Sequence, residues 1–204
     1  MSIGSVDFTM QQLSVHVGIS PTTFYNLFGS KGAVLYSLLD RGLGRIISDR
    51  TAMMQGEDPV ETPILTMTYA AEFFTRKPKL YRSLYKFQLS ARDMAARPSY
   101  LDRGLVFWQQ NLQGLVNIGC LCDDAHHGAF TRDDVALALL THSSGVIDLW
   151  VQEDLDDVQF VARMTHDAAL IIHSIVPESD RKRIEERICK IRPHLKRFSF
   201  LGDI

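Results

Sequence analysis

The amino-acid sequence predicts an all-α protein, and three observations lead to that prediction. Apolar residues recur at the three- and four-residue spacing of amphipathic helices along most of the 204 residues. Glycine and proline separate these stretches, as they commonly do between helices. No run of alternating apolar and polar residues indicates a strand, and no internal repeat is present. The length allows one large domain, or a small domain joined to a larger one.

Two short helices joined by a tight turn are predicted near the N-terminus, within FTMQQLSVHVGISPTTFYNLFGSK. Thr9 can cap the first helix, and Gln12 completes a capping box three positions later. Gly18 ends that helix, because a sharp turn needs the positive φ that glycine adopts easily. Ser20 is the expected N-cap of the second helix, and Pro21 occupies its first turn, where proline is best tolerated.

The second of these helices has one apolar side and one polar side. Phe24, Leu27 and Phe28 share the side that we expect to be buried. Two capped helices with a glycine turn between them form a helix-turn-helix, whose second helix enters the major groove of DNA. Threonines there suit base edges, and the other polar groups suit phosphates. The residues expected at DNA are Thr9, Ser20, Pro21, Thr22, Thr23, Tyr25, Asn26 and Lys31.

A long helix follows, from Lys31 to about Met54, and further helices are predicted beyond it. At 1.5 Å per residue the long helix spans roughly 35 Å, which is enough to connect two domains. Pro78 and Pro98 are expected to lie between helices. The further helices cover approximately 62–77, 80–96, 99–118, 133–150 and 157–176, with a loop over 119–131 and an amphipathic segment after Pro177.

Composition limits the setting in which the protein works. A net charge of −2 gives no overall positive field, so any affinity for DNA has to come from local placement. Three cysteines without a framework spacing favour a reducing compartment over a disulfide scaffold. The N-terminus lacks a basic segment followed by an apolar one, and no apolar run approaches membrane-spanning length. We therefore expect a cytoplasmic protein with no membrane partner.

The order of the elements adds to the motif itself. A capped helix-turn-helix is followed by a Ser-Lys start to a long helix and then by several apolar helices. The residues that carry the pattern are Thr9, Leu13, Gly18, Ile19, Ser20, Thr23, Phe24, Tyr25, Phe28, Ser30 and Lys31. In this combination the chain resembles the TetR family (tetracycline-repressor-like regulators). Asn26 and Leu27 depart from the His-His pair that is common in that family, and Gly32 replaces its usual acidic residue.

The resemblance implies a homodimeric transcriptional regulator, a repressor that leaves its double-stranded DNA operator when it binds a small, largely apolar ligand. It divides the chain into a DNA-binding head over residues 1–48 and a helical ligand-binding and dimerising domain over residues 49–204. Members of the family begin with a further helix packed across the helix-turn-helix, and residues 1–7 are too few to form it. We therefore expect that translation starts upstream or that the head binds DNA weakly.

Two sets of residues in the predicted body are candidates for binding. Aromatic and methionine side chains of the middle helices could line a ligand cavity, although such stripes are also typical of an ordinary core. These are Tyr69, Phe73, Tyr85, Met94, Trp108, Leu112 and Trp150. Two long helices near the C-terminus suit a four-helix bundle between two copies, unless their apolar stripes pack within one chain. The dimerisation candidates are Leu139, Val146, Trp150, Met164, Ile171 and Ile175.

Other chemistry is weakly indicated. The stretch from Cys120 to His127 gathers thiols and imidazoles that suit zinc or copper, but Cys-x-Cys beside adjacent histidines is not a usual tetrahedral spacing. We predict a solvated loop there, with no metal and no cofactor. The S-x-x-K match from Ser83 to Lys86 arises freely by chance, and no phosphate loop or nucleophile elbow accompanies it, so no enzyme is predicted. The competing hypothesis is a ligand-binding or scaffold dimer whose incomplete head does not bind DNA.

Overall fold

The computed structural model describes residues 8–53, 56–90, 96–123 and 130–195, and it confirms the all-α prediction. Within these ranges the chain forms nine α-helices, one short 3₁₀-helix and no strand. The helices are α1 (Met10–Val17), α2 (Pro21–Phe28), α3 (Lys31–Met53), α4 (Thr62–Thr75), α5 (Pro78–Ser90), α6 (Ala96–Asn117), α7 (Arg132–Val151), α8 (Asp157–Ile175) and α9 (Glu178–Ile191).

The caps of the first two helices form as the sequence predicts. Thr9 Oγ1 accepts a hydrogen bond from the Gln12 amide, and Gln12 Oε1 accepts one from the Thr9 amide. Gly18 ends α1 with a φ of 79°, and Ser20 Oγ accepts a hydrogen bond from the Thr23 amide at the start of α2. These bonds satisfy groups that have no partner inside a helix, which matters because each helix has only 8 residues.

Two prolines lie closer to helix starts than the sequence suggests. Pro78 follows the end of α4, as predicted, but it is also the first residue of α5. α6 begins at Ala96, so Pro98 lies in its first turn and the prediction that it separates two helices is wrong. The reason is that first-turn amides have no carbonyl partner within the helix, so proline loses no hydrogen bond there. Helices α3, α4, α7 and α8 begin and end within two residues of their predicted positions.

Two hydrophobic cores meet along α3. The smaller core lies in the head and is formed by Met10, Phe24 and Val34. The larger core includes Leu35, the next residue of α3, and continues through the helices of the body. α3 is therefore part of both cores and connects them without a break in the helix.

The apolar side of α2 is only partly covered by the described residues. Phe24 is 3% exposed, whereas Leu27 is 67% and Phe28 is 37% exposed. The expectation that all three are buried is wrong for the last two, because α1 and α3 pack against the side of α2 that carries Phe24. Val15 and Val17 of α1 are exposed as well. The head thus presents apolar as well as polar surface.

A buried polar network fixes the C-terminal end of α3. The Arg50 side chain is 4% exposed, and its guanidinium pairs with the Glu57 carboxylate at 2.6 Å. Arg50 Nε donates to Thr66 Oγ1 at 3.0 Å, and the Thr66 hydroxyl donates to Asn111 Oδ1 at 2.6 Å. A buried guanidinium is tolerated where its N–H groups find such partners. The network therefore ties the end of α3 to α4 and α6.

Candidate DNA-binding surface and ligand cavity

The exposed side of α2 carries the polar residues predicted to meet DNA. Thr22, Thr23 and Asn26 are exposed, and Tyr25 is 50% exposed. Ser20 Oγ and Thr23 Oγ1 lie 2.8 Å apart, so these two hydroxyls are engaged in capping the helix. Thr22, Tyr25 and Asn26 are therefore the side chains on this surface that the cap does not use.

The remaining DNA candidates lie at helix starts. Pro21 is the exposed first residue of α2, and Thr9 is the N-cap of α1, where its amide is already bonded to Gln12. Lys31 is the first residue of α3, and its Nζ lies 4.9 Å from the centre of the Phe8 ring. The ring holds the ammonium group close to the N-terminus of α3, where backbone amides also attract anions.

Positive charge is sparse on the described part of the head. α2 contains no lysine or arginine. Arg41 and Arg45 are exposed on α3, but Arg50 is buried and Asp40 pairs with Arg103 of α6. A recognition helix of this composition can contact DNA through hydroxyl, amide and methyl groups, but it cannot make the bidentate contacts to guanine that arginine makes.

A cavity of about 70 Å³ lies in the body among helices α3 to α8. Tyr85 and Trp108, two of the predicted ligand-binding residues, line it. Leu43 and Ile46 of α3 form another part of its wall. No charged residue is found among the described side chains that line it. The helix that carries the head therefore also borders an apolar cavity.

The other five predicted ligand residues do not line this cavity. Leu112 and Trp150 are 0% exposed and belong to the surrounding core. Tyr69 and Phe73 are half-buried on α4 outside the cavity wall, and Met94 lies outside the described residues. Helical spacing cannot separate a side chain that borders a cavity from one that packs beside it, because both belong to the same buried stripe.

The cavity has a polar end that sequence reasoning missed. Tyr85 Oη and Tyr100 Oη lie 3.0 Å apart, and Gln88, which is 8% exposed, reaches the same cavity. Burial raises the pKa of Tyr100 to about 12 and raises the pKa of Tyr85 well above its usual value, so both phenols keep their protons near neutral pH. Gln88 follows Tyr85 by three positions on α5. That spacing places both side chains on the same side of the helix, so the sequence could have suggested that Tyr85 and Gln88 lie together.

Most residues predicted for a dimer interface are part of the core of the single chain. Ile171 and Ile175 are half-buried on α8. Four others are at most 4% exposed, so their side chains cannot reach a second copy: Leu139, Val146, Trp150 and Met164. The indole of Trp150, for example, stacks on Phe160 at a ring distance of 4.5 Å. For these four, the alternative of packing within one chain is correct.

An exposed strip nevertheless runs along α7 and α8, and we call it the α7–α8 surface. It consists of Leu137, Thr141 and Gly145 on α7, with Leu170 and Ser174 on α8. Leu137 is 51% exposed and Leu170 is 48% exposed. A Cβ added at Gly145 would meet nothing within 4 Å, so another chain could approach closely there. This surface, and not the buried stripe, is what a second copy could contact.

A buried carboxylate lies beside this surface. The side chain of Asp167 is 7% exposed, and its oxygens lie 2.7 Å from His142 Nε2 and 2.7 Å from His166 Nδ1. The Arg163 guanidinium nitrogen Nη1 lies 3.3 Å from Asp167 Oδ1. Burial by itself raises the pKa of Asp167, but hydrogen bonds from the two histidines and the charge of Arg163 hold that pKa below its usual value. The ionised carboxylate therefore links α7 to α8.

A larger groove, of about 900 Å³, lies open between α4, α8 and α9. Its rim carries charges of both signs that largely pair with each other: Glu61, for example, lies 2.6 Å from Arg187 and 3.5 Å from Arg183. No residue of α3 borders it. Despite its greater volume, this groove has no contact with the helix that carries the head, so it is the weaker candidate for a site that controls the head.

Two other regions bear on metal binding and on membrane insertion: the loop that begins at Cys120, and α7. Among the described residues, no group of three side chains could hold a metal ion. Cys120 and Cys122 are half-buried thiols, while His126 and His127 lie outside the described residues. In the part of the chain that the structure describes, α7 alone is long and apolar enough to cross a membrane by length and composition, so the expectation that no apolar run approaches that length is wrong for this helix. It packs against α5, α6 and α8, as a core helix of the body does.

Solved structures share this architecture. A protein of Syntrophomonas wolfei described as a TetR-family transcriptional regulator has a TM-score of 0.67 and 18% identity, over 84% of this chain and 88% of that chain. PfmR, a TetR-family transcriptional regulator from Thermus thermophilus, has a TM-score of 0.53 and 16% identity, over 83% and 90%. No protein-family model and no curated protein matches the sequence. The resemblance seen in the helix-turn-helix is confirmed at the level of the fold, and this chain has the fold of the TetR-family regulators.

Proposed function

We propose that this protein is a DNA-binding transcriptional regulator of the TetR type, a repressor that is released from its operator by a small, largely apolar ligand. The observation that carries the proposal is the position of α3. Its N-terminal end packs into the helix-turn-helix head through Val34, and its middle borders the body cavity through Leu43 and Ile46. The shared fold supports the same function, and no catalytic role is proposed.

In this proposal α2 is the recognition helix. Thr22 contacts base edges in the major groove, where its methyl group suits the thymine methyl. Tyr25 and Asn26 bind phosphates and fix the position of the helix. Lys31 binds a further phosphate from the start of α3. The first 48 residues act as the DNA-binding part, and residues 49–204 act as the ligand-binding and dimerising part.

Two copies associate through the α7–α8 surface and form a four-helix bundle. A two-fold axis there places the same patch on both sides of the interface, so Leu137 and Leu170 of each copy are covered by the other. The paired heads then address two DNA half-sites about one helical turn apart. Such a regulator acts in the cytoplasm, where its DNA lies.

Ligand binding in the cavity changes the position of α3, because Leu43 and Ile46 have to make room for the ligand. The head follows, since Val34 belongs to its core. A small change in the spacing of the two heads is sufficient to lose one half-site. α3 thereby couples the cavity to the head. Bound ligand lowers the protein's affinity for DNA, and bound DNA lowers its affinity for the ligand by the same factor.

Gel-shift titrations at several stated salt concentrations, with the DNA upstream of the protein's own gene, test the proposal. We expect retardation by the wild-type protein and weaker binding by Lys31→Ala. The salt dependence of the variant's binding should fall by about two counterions per dimer, because each of the two heads loses one phosphate contact. Lys79→Ala is the matched control, since Lys79 is exposed on α5 of the body, and it should bind DNA like the wild type.

The competing function is a ligand-binding or scaffold dimer whose head does not bind DNA. The absence of lysine and arginine from α2 and the exposed side chains of Leu27 and Val15 favour it. Absence of any retarded band at low salt, from a protein that is folded and dimeric, would replace the proposed regulator with this alternative.

A further inference from the structure

The polar end of the body cavity has hydrogen-bonding capacity that the described residues leave unused. Tyr85 and Tyr100 share one hydrogen bond between two hydroxyls, so one of the two O–H protons has no acceptor among the described residues. The Gln88 amide, on a residue that is only 8% exposed, also has no hydrogen-bond partner there. All three side chains line the cavity of about 70 Å³, so their hydrogen-bonding groups can bind a polar atom of a molecule that enters it.

The rest of the cavity wall restricts what that partner can be. Leu43, Ile46, Met67, Trp108 and Ile147 contribute hydrocarbon and aromatic surface, and none of the described lining residues is charged. An ion that entered the cavity would lose its hydration without meeting a counter-charge, which is strongly unfavourable. The neutral phenols supply no charge either, because burial raises the pKa of both.

We infer that the cavity binds an uncharged, mainly apolar molecule that carries a hydrogen-bond-accepting oxygen, such as a ketone, a lactone or an alcohol. Tyr85, Tyr100 and Gln88 are the residues that recognise this oxygen. The inference rests on the proposed function in one respect, which is that it takes this cavity as the site of the effector.

The size of the cavity favours a compact ligand. Its volume is about 70 Å³, which suits a single small ring better than a long chain. Met67 and Met164 lie on its wall, and their unbranched side chains can change conformation to enlarge it. A six-membered cyclic ketone is therefore a suitable probe.

Calorimetric titration of the full chain with cyclohexanone, cyclohexanecarboxylate and cyclohexylammonium tests the inference. We expect cyclohexanone to bind with a measurable heat, and we expect no binding of cyclohexanecarboxylate or cyclohexylammonium. The double variant Tyr85→Phe with Tyr100→Phe keeps the volume of both rings, and it should weaken binding of the ketone about fivefold to tenfold, because the spare O–H donor is lost. A Gln88→Leu variant should also weaken it.

Tyr81→Phe is the matched control, because Tyr81 is a buried tyrosine on the same helix that does not line this cavity. Its affinity for the ketone should equal that of the wild type. A melting curve for each variant checks that it is folded. The inference is overturned if the ketone does not bind, if the charged analogues bind as well, or if the double variant binds like the wild type.

Gel shifts run beside the calorimetry separate this inference from the proposed function. Ketone binding that depends on Tyr85 and Tyr100, together with no DNA binding, contradicts the regulator and leaves the cavity assignment intact. DNA binding together with an affinity for the ketone that the double variant does not change contradicts the cavity assignment and leaves the regulator intact.

Discussion

The positively charged side chain of Arg50 is only 4% exposed. Its burial is possible because it pairs with Glu57 and donates a hydrogen bond to Thr66, whose hydroxyl donates in turn to Asn111. Replacing Arg50 with methionine leaves the Glu57 carboxylate, itself only 20% exposed, without its counter-charge. We expect Arg50→Met to lower the free energy of unfolding by about 3 kcal/mol, measured by urea denaturation.

Arg183→Met serves as the control for this prediction. Arg183 pairs with Asp58 at 2.7 Å, but both side chains are more than 40% exposed, and Glu61, which lies 3.5 Å from Arg183, keeps Arg187 as its closer partner in the variant. An exposed ion pair contributes about 0–1 kcal/mol, so the control should lose little stability. Equal losses in the two variants would show that the buried network has no special role.

Asp167 predicts a pH dependence of stability. Burial raises the pKa of Asp167, but the hydrogen bonds from His142 and His166 together with the charge of Arg163 outweigh burial, so the pKa in the folded protein lies below the ordinary value of 3.8. The ionised carboxylate therefore stabilises the fold above about pH 4, and this contribution is lost as the pH falls through the lower folded-state pKa. Asp167→Asn should unfold more easily than the wild type at pH 7, by about 2 kcal/mol.

The difference between the Asp167→Asn variant and the wild type should shrink once the pH drops below about 4. Thermal melting of both proteins across pH 3 to 7 measures this. The exposed Asp102 provides a control, and Asp102→Asn should follow the wild-type curve throughout. A difference that is constant with pH would mean that Asn disturbs packing and that the ionised carboxylate is not what stabilises the fold.

Single residues differ in how far the sequence reveals their roles. The caps at Thr9 and Ser20 and the turn at Gly18 follow from local chemistry within a few positions, and all three are observed. The Tyr85–Tyr100 pair and the Asp167 cluster were not predicted. They join residues 15 and 25 positions apart through helix packing, which no local pattern encodes.

Among the elements, α3 contains two glycines that the structure distinguishes. A Cβ at Gly42 would lie 3.1 Å from Tyr81 Oη and 3.3 Å from its Cε1, against a ring that is buried and packed on Phe74. A Cβ at Gly44 would meet only the far end of the Arg103 side chain, at 3.1 Å. That side chain is 43% exposed and can move aside.

We expect Gly44→Ala to raise the free energy of unfolding by up to about 1 kcal/mol, because alanine favours the helix more than glycine does. Gly42→Ala gains the same propensity but forces the Tyr81 ring to shift, so it should give no gain or a loss. Each variant controls for the other, since both lie within α3. Thermal melting measures the difference, and equal stabilisation by both would contradict the close α3–α5 packing.

The elements themselves follow closely from the sequence. Helix spacing and turn residues placed α3, α4, α7 and α8 within two residues. The start of α6 was missed because proline was treated as a separator, although it is equally compatible with a first turn. The buried side of α2 was overestimated because an apolar stripe indicates which side can be buried, without indicating what is available to cover it.

For the whole molecule, the α7–α8 surface predicts the oligomeric state. Leu137→Glu together with Leu170→Glu places two charges on the proposed interface, and we expect the double variant to be monomeric. Sedimentation equilibrium over a range of protein concentrations measures this. Because both leucines are about half exposed in the single chain, the fold itself should tolerate the change.

Val158→Glu is the control for the assembly. Val158 is 65% exposed, but it lies on the groove between α4, α8 and α9 and away from the α7–α8 surface. It should remain dimeric. Dissociation by Val158→Glu, with no effect of the two leucine substitutions, would move the interface to the groove.

For the whole molecule the sequence led to the correct fold, whereas four of the six residues that it predicted for a dimer interface lie in the core of the single chain. Leu139, Val146, Trp150 and Met164 lie on strongly apolar stripes, and the chain buries those stripes in its own core. The residues that remain outside, such as Leu137 and Leu170, are fewer and less regular. An apolar stripe that is buried within one chain has the same periodicity as a stripe that is buried between two chains. Only the three-dimensional packing distinguishes the two cases.

The fixed end of α3 has a mechanical consequence. With Arg50 held as a pivot, the cavity wall at Leu43 and Ile46 lies about 8 Å along the helix axis, and Lys31 lies about 28 Å along it. A rigid helix then acts as a lever arm, and a displacement of about 1 Å at the cavity becomes about 3.5 Å at the head. In a two-fold dimer the separation of the heads changes by up to about twice that amount. A small ligand in each cavity can therefore change the distance between two DNA-binding heads that lie far from it.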